Sequence, residues 1–94
     1  MTRLLFAPSA FRDIERLAAF LLDGDPLAAA ATTDLLISGL AILRDHALVG
    51  RKVEHGLREL MISRGRTGYV ALYRYDAESD TALVLALRHQ RENT

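Results

Sequence analysis

The spacing of the apolar residues changes near the middle of this chain, and that change constrains the fold more than any other feature of the sequence. Between residues 11 and 43, apolar side chains recur every three or four positions, which is the period of one helix face. Between residues 57 and 89, they form short runs with the alternation typical of strands. Helices followed by strands predict an α+β fold in which the helices pack on a sheet.

Two helices are predicted in the first half, after a short strand. Ser9 is a suitable N-cap for the first helix, because its hydroxyl can accept from an otherwise unpaired amide, and Gly24 is expected to end that helix. Asp25 and Pro26 suit the start of the second helix, which we expect to run to about Asp45. The short connection predicts an antiparallel hairpin. The expected helical core residues are Leu17, Leu21, Leu36, Leu40 and Leu43.

Four strands are predicted in all. The first covers 2–6, and three further runs lie at 57–63, 69–75 and 81–89. Polar turns separate the last three runs, so they are expected to form a three-stranded antiparallel meander. Together the elements predict a four-stranded sheet, packed on one face by the two helices, as a single domain over residues 1–94.

The last run is apolar on both sides. Leu83, Leu85 and Leu87 are expected on one face, and Val84 and Ala86 on the other. Because two helices can cover only one face of the sheet, the opposite face is expected to leave apolar side chains without cover. Soluble proteins normally avoid such a patch or use it for binding. The pattern therefore predicts a partner, which is either a second copy or another protein.

Composition excludes several classes of protein. Twelve basic residues balance twelve acidic ones, which counts against a surface that follows phosphate throughout. The chain has no cysteine, and this excludes a disulfide framework, a thiolate metal site and a cysteine nucleophile. No long apolar run predicts a membrane span, and the first residues do not resemble a signal peptide, so we expect a cytoplasmic protein.

Motifs that carry chemistry are few. His46, His55 and His89 do not have the spacing of metal ligands, so neither a metal nor another cofactor is expected. The run 88–91, Arg-His-Gln-Arg, could move protons at a phosphodiester, since histidine titrates near neutral pH. The alternative is a basic strand end that contacts protein or solvent.

Basic residues are concentrated in the second half of the chain. Between 51 and 74, six basic residues occur with only two acidic ones, Glu54 and Glu59. This asymmetry fits either solvated strand edges and turns or a basic face that meets an acidic partner. The six are Arg51, Lys52, Arg58, Arg64, Arg66 and Arg74.

The order of these elements, with the residues that form them, resembles the RelE/ParE family of bacterial toxins. The resemblance covers nearly the whole chain, and its specificity comes from the succession of motifs. The stretches that carry it are 6–10, 13–14, 25–26, 50–51, 57–60, 68–75 and 84–92.

The resemblance implies a toxin of a type II toxin–antitoxin system, associated with plasmid stabilisation and growth inhibition. A cognate antitoxin, ParD-like or another small one, would neutralise it by direct binding in a hetero-oligomer. ParE-like members bind DNA gyrase without a catalytic group, whereas RelE-like members cut mRNA on the ribosome. We expect the ParE-like activity, because the net charge is zero and Val70 stands where many ribonuclease members have an arginine. The alternatives are a ribosome-dependent mRNA endoribonuclease and an inactive, protein-binding member of the family.

The resemblance also implies candidate site residues. For a gyrase inhibitor no catalytic residue is expected, and arginines would contact the target or the antitoxin. The candidates for these contacts are Arg58, Arg64, Arg66, Arg88 and Arg91. For a ribonuclease, the catalytic candidates are His89, Arg66 and Arg88.

Overall fold

The structure, a computed structural model, has two helices packed on one face of a five-stranded sheet. It describes residues 1–22, 26–64 and 67–90. The predicted helix-end residues Gly24 and Asp25 lie outside the described residues, as does the side chain of Leu21. In chain order the elements are β1 (Arg3–Phe6), α1 (Pro8–Leu22), α2 (Pro26–Leu40), β2 (Arg51–Lys52), β3 (Arg58–Arg64), β4 (Thr67–Asp76) and β5 (Thr81–His89).

The strands lie in the order β1-β5-β4-β3-β2, with β1 parallel to β5 and the other neighbours antiparallel. The α+β class and the meander are confirmed. The sheet has one strand more than predicted, because Arg51 and Lys52 pair with Glu59 and Arg58. A strand of two residues is too short to produce an alternating pattern in a sequence.

The first helix begins one residue earlier than its expected cap. Pro8 is the first helical residue, where a missing amide hydrogen costs nothing. The carbonyl oxygen of Ala7 accepts hydrogen bonds from the amides of Ala10, at 2.9 Å, and Phe11, at 3.3 Å. Ser9 therefore lies inside the helix, and its prediction as the N-cap is wrong.

The second helix ends at Leu40, and a tighter 3-10 segment, Ala41–Arg44, continues it almost to the predicted end. By length and composition alone, this combined segment is apolar enough to cross a membrane, with a mean hydropathy of 1.6. However, Leu36, Leu40 and Leu43 are fully buried in the protein core. Only 28% of the segment is buried overall, so it contributes these three side chains to the core and leaves others, such as Leu27 and Ile37, exposed.

The core lies between the helices and one face of the sheet. Tyr73 and Val84 contribute fully buried side chains from the two central strands. Leu17 of α1 is also buried, as predicted. The cluster of buried residues is Ala10, Leu17, Leu36, Leu40, Leu43, Ile62, Tyr69, Ala71, Tyr73, Ala82, Val84 and Leu87.

A β-bulge in β5 changes which of its residues face the helices. The register of β4 and β5 shifts between Leu72 and Tyr73, and β5 accommodates one additional residue, Leu85. Beyond the bulge the alternation is offset by one, so Leu87 lies on the helix face and is almost fully buried. The predictions that Leu83, Leu85 and Leu87 share one face and that Val84 and Ala86 share the other are therefore both wrong.

The loop before β3 is fastened to the core through a tyrosine. The buried hydroxyl of Tyr73 donates to the Ala47 carbonyl at 2.7 Å and accepts from the Gly50 amide at 2.9 Å. A Cβ on Gly50 would lie 2.6 Å from the Tyr73 side chain, so this close approach requires glycine. The loop is consequently held in one position beside β3.

Candidate partner-binding surface

The face of the sheet opposite the helices carries a row of apolar side chains. Because successive residues of a strand project to opposite faces, the residues between the core positions lie here. Leu5 is 44% exposed and Met61 is 57% exposed, whereas Val70 is buried. We call this surface the open face; its apolar members are Leu5, Met61, Val70, Leu72, Leu83 and Ala86.

Four arginines project from the open face; Arg51 is paired with Glu59 of the same face at 2.7 Å, and the other three are Arg3, Arg74 and Arg88. In the ladder, Arg74 lies opposite Leu83, Arg88 lies opposite Val70, and Arg3 stands near the end of β1. All three are exposed. None of their guanidinium groups is in an ion pair with a residue of 1–22, 26–64 or 67–90. An apolar surface with cationic side chains is complementary to an acidic amphipathic segment.

An apolar groove continues the open face around β1 to the start of α1. The rings of Phe6 and Phe11 stand 5.5 Å apart at this end of the molecule. Leu5 and Leu83 belong to both surfaces, so the groove and the open face are continuous. The groove has a volume of about 570 Å³ and is lined by Leu4, Leu5, Phe6, Ala7, Pro8, Phe11 and Leu83.

Arg58 has a different environment from the arginines of the open face. It is half-buried, and its guanidinium donates to the carbonyls of Leu48, at 3.0 Å, and Gly50, at 2.8 Å. These bonds fasten to β3 the same loop that the Tyr73 hydroxyl holds. The geometry thus gives Arg58 a structural use inside the chain.

The other arginines expected to bind a partner are described only in part. Arg88 is exposed on the open face. Arg66 and Arg91 lie outside the described residues, as does the side chain of Arg64. The list of expected arginines omitted Arg3 and Arg74. The alternation along β4 places Arg74 on the same face as Val70 and Leu72, so the sequence alone could have identified it. Arg3 could not be identified in this way, because the sequence does not show which strand β1 pairs with.

The residues expected for a ribonuclease do not form one group. Arg88 and His89 are consecutive in β5, so they project to opposite faces of the sheet. The His89 ring packs edge-to-face on Tyr69 with 5.3 Å between centroids, on the helix side, while Arg88 is exposed on the open face. Arg66, the third candidate, lies outside the described residues. Arg88 and His89 therefore do not converge on a single phosphate.

The remaining histidines lie apart from both surfaces. His46 and His55 are exposed in the segment between α2 and β3. The backbone of His55 has a φ of 63°, in the left-handed region. Within the described ranges, no three His, Cys, Asp or Glu side chains are grouped closely enough to hold a metal ion.

A hydrogen-bonded cluster at one end of β4 and β5 ties the first residues to the turn between these strands. The Asp80 carboxylate accepts from the hydroxyl of Thr2 at 2.7 Å and from that of Tyr75 at 2.8 Å. These bonds, that of Thr2 first, lower the pKa of Asp80 from its usual value of 3.8. The bond to Asp80 likewise raises the pKa of Tyr75 from 10.0. Both shifts stabilise the pair as carboxylate and neutral phenol.

Comparisons with known proteins agree with this architecture. Residues 4–94 match the family model described as the ParE toxin of the type II toxin–antitoxin system, parDE. The chain is 35% identical to Toxin RelE3 of Caulobacter vibrioides over 92 residues, which cover 98% of each chain.

Solved structures share the fold. The structure titled as the chromosomal ParDE toxin–antitoxin system from P. aeruginosa has a TM-score of 0.78 at 19% identity, covering 93% of this chain and 94% of the other. A chain of the RelBE2 toxin–antitoxin complex from Mycobacterium tuberculosis matches this fold with a TM-score of 0.63 at 26% identity. The match covers 95% of this chain and 98% of the other. Because the family model spans nearly the whole sequence, this chain belongs to the ParE/RelE family of toxins of type II toxin–antitoxin systems.

Proposed function

We propose that this toxin inhibits DNA gyrase by binding it, without a catalytic group of its own. The whole chain, 1–94, acts as a single toxin domain in the cytoplasm. A cognate antitoxin, ParD-like or another small antitoxin, neutralises it in a hetero-oligomer by covering the open face.

The position of Arg88 and His89 carries the proposal for gyrase. General acid–base cleavage of RNA needs the proton-transfer group and the phosphate-stabilising cation on the same phosphodiester. These two side chains lie on opposite faces of β5, and the His89 ring packs against Tyr69. The zero net charge also gives little long-range attraction to ribosomal RNA. A toxin that binds a protein target needs neither a converging pair of catalytic side chains nor a positive net charge.

The composition of the open face supports an antitoxin as its occupant. Leu5 and Met61 are exposed there, on the same face as Arg74 and Arg88. A disordered acidic segment that folds on binding would bury the apolar side chains and pair with the arginines. Both solved structures described above with this fold are of toxin–antitoxin systems, which fits a partner of this kind.

A second candidate function is ribosome-dependent cleavage of mRNA. It is favoured by the similarity to a protein named Toxin RelE3, whose sequence is 35% identical over 98% of this chain. In that case His89, Arg66 and Arg88 would be the catalytic candidates.

A gyrase assay distinguishes these functions. The purified chain is expected to inhibit supercoiling by bacterial gyrase or to trap cleaved DNA, and the variant His89→Ala should inhibit equally well. In parallel, mapped 5′ ends of translated mRNA should show no codon-phased cuts. Normal supercoiling at excess toxin, together with cuts that His89→Ala abolishes, would establish the ribonuclease instead. A folded chain without either effect, and without toxicity on induction, would be an inactive binding member.

The same assay tests the open face. Antitoxin from the neighbouring reading frame should restore supercoiling, and Arg74→Glu should raise the amount needed by about tenfold or more, because it places like charges together. Arg12→Glu, an equivalent reversal at an exposed position of α1, is the matched control and should change nothing. Equal neutralisation of both variants would remove the open face as the antitoxin site while leaving the result with gyrase intact.

A further inference from the structure

The last strand, β5, extends beyond the end of its neighbour β1. The two strands pair from Arg3 with Thr81 to Phe6 with Val84, and the Ala7 amide makes the last bond, to the Val84 carbonyl at 2.8 Å. Among residues 1–22, 26–64 and 67–90, no strand lies beside residues 85–89 on that edge. Unpaired amides and carbonyls along an edge are a template on which another strand can add.

Side chains of α1 occupy the backbone groups of this edge. The Ser9 hydroxyl donates to the Leu85 carbonyl at 2.5 Å. The Leu87 amide donates to the Asp13 carboxylate at 2.8 Å, and the Arg16 guanidinium donates to the Leu87 carbonyl at 3.2 Å. The outward amide and carbonyl of Leu87, and the carbonyl of Leu85, are thus bonded to a helix.

The spacing of these three side chains follows from the helix. Ser9, Asp13 and Arg16 are separated by four and three residues, so they project from one face of α1. Asp13 and Arg16 also approach each other to 3.6 Å, which orients the carboxylate towards an amide and the guanidinium towards a carbonyl. A hydroxyl donor, a carboxylate acceptor and a guanidinium donor, in this order along β5, match the pattern that a neighbouring strand would present.

We propose that α1 is a latch that closes the free edge of β5 against strand pairing with a second copy of this chain. Two copies of this edge are self-complementary, because antiparallel pairing about a twofold axis places each Leu87 region against the other. While the latch is closed, its side chains occupy the groups that such a pairing needs. When it opens, the edge becomes a site for self-association.

Variants of Asp13 test the latch in the full-length chain. Asp13→Leu removes the acceptor at similar size, whereas Asp13→Asn keeps an acceptor oxygen. Asp13→Leu should accelerate hydrogen exchange of the Leu87 amide about tenfold or more. It should also form concentration-dependent dimers or larger species in light scattering. Asp13→Asn should remain monomeric and protected, as should Glu15→Leu, which changes an exposed residue of the same helix and is the matched control.

Two results would overturn the proposal. One is an Asp13→Leu variant with normal far-ultraviolet circular dichroism that stays monomeric and keeps the Leu87 amide protected. If that variant does not fold, exchange in the unmodified chain decides: the latch requires the Leu87 amide to be protected like the amides bonded between β4 and β5. Exchange of Leu87 at the rate of an exposed loop amide would show that the latch does not hold.

Discussion

The two faces of the sheet differ in what covers their apolar side chains. On the helix face, Tyr73 and Leu87 are buried almost completely between the helices and the strands. On the open face, Leu5 and Met61 keep about half of their surface in contact with solvent. The same strands therefore bury apolar side chains on one face and leave others exposed on the other. Apolar character alone does not separate these two environments, whereas the position of the helices does.

Replacing one leucine on each face of β5 should give the largest difference in the free energy of unfolding. Leu87→Ala leaves a cavity in the core and should lower the free energy of unfolding by about 2–5 kcal/mol. Leu83→Ala, on the open face, should cost less than about 1.5 kcal/mol, because solvent fills the space and no enclosed cavity forms. Urea denaturation of the isolated chain measures both. Equal losses of unfolding free energy would mean that Leu83 is as well covered as Leu87, and the two faces would then not differ.

Removing a tyrosine hydroxyl should have a smaller effect, and it compares a buried with an exposed hydroxyl on the helix face, to which both Tyr73 and Tyr75 belong. Tyr73→Phe leaves the Ala47 carbonyl and the Gly50 amide without their buried partner, and should cost about 1–3 kcal/mol. Tyr75→Phe is the matched control, since water can replace its bond to Asp80 at the exposed end of the sheet. Its effect on the urea midpoint should be much smaller. If the two variants lost the same stability, the loop would not depend on Tyr73.

The dependence of stability on pH should give the smallest effect. The folded-state pKa of Asp80 is lowered, so its contribution is present above the usual value of 3.8 and is lost as the pH falls through the folded pKa. The pKa of Tyr75 is raised, so its contribution is present below pH 10 and is lost as the pH rises through the folded pKa.

Asp80→Asn isolates the acidic limb of this dependence. Asparagine tolerates the left-handed backbone at this position, where φ is 48°, but it does not titrate. The difference in melting temperature between the original chain and Asp80→Asn should therefore be largest near neutral pH and shrink below pH 4. A difference that stayed constant across this range would show that the carboxylate charge does not stabilise the cluster.

The sequence predicts much of the fold because the helices and the meander strands are long enough to show their periods. The last strand, for example, has the predicted bounds Thr81–His89. The face of the sheet on which each side chain of β5 lies could not be predicted beyond Leu85. The bulge depends on how β4 and β5 pair and not on either strand alone. Ser9 shows the same limit. A serine near a helix start is typical of a cap, but its partner here is a carbonyl 76 residues away.

The candidate surface could be predicted in outline. A sheet with helices on one side implies an uncovered face, and alternation along β4 places Arg74 on it. The use of Arg58 could not be predicted, because its hydrogen-bond acceptors are carbonyls of an irregular loop. The separation of Arg88 from His89 does follow from strand geometry, yet it becomes informative only when Tyr69 is seen beside the histidine.

The pairing of β1 with β5 has a consequence for the growing polypeptide. In the part of the chain that the structure describes, the first strand has no strand neighbour other than the last. Leu5 therefore cannot pair with Leu83 until the ribosome has synthesised β5, more than seventy residues later. Closing so long a loop is slow compared with forming local contacts. The helical hairpin can therefore form before β1 pairs with β5. No nascent chain that ends before β5 can therefore present the whole open face.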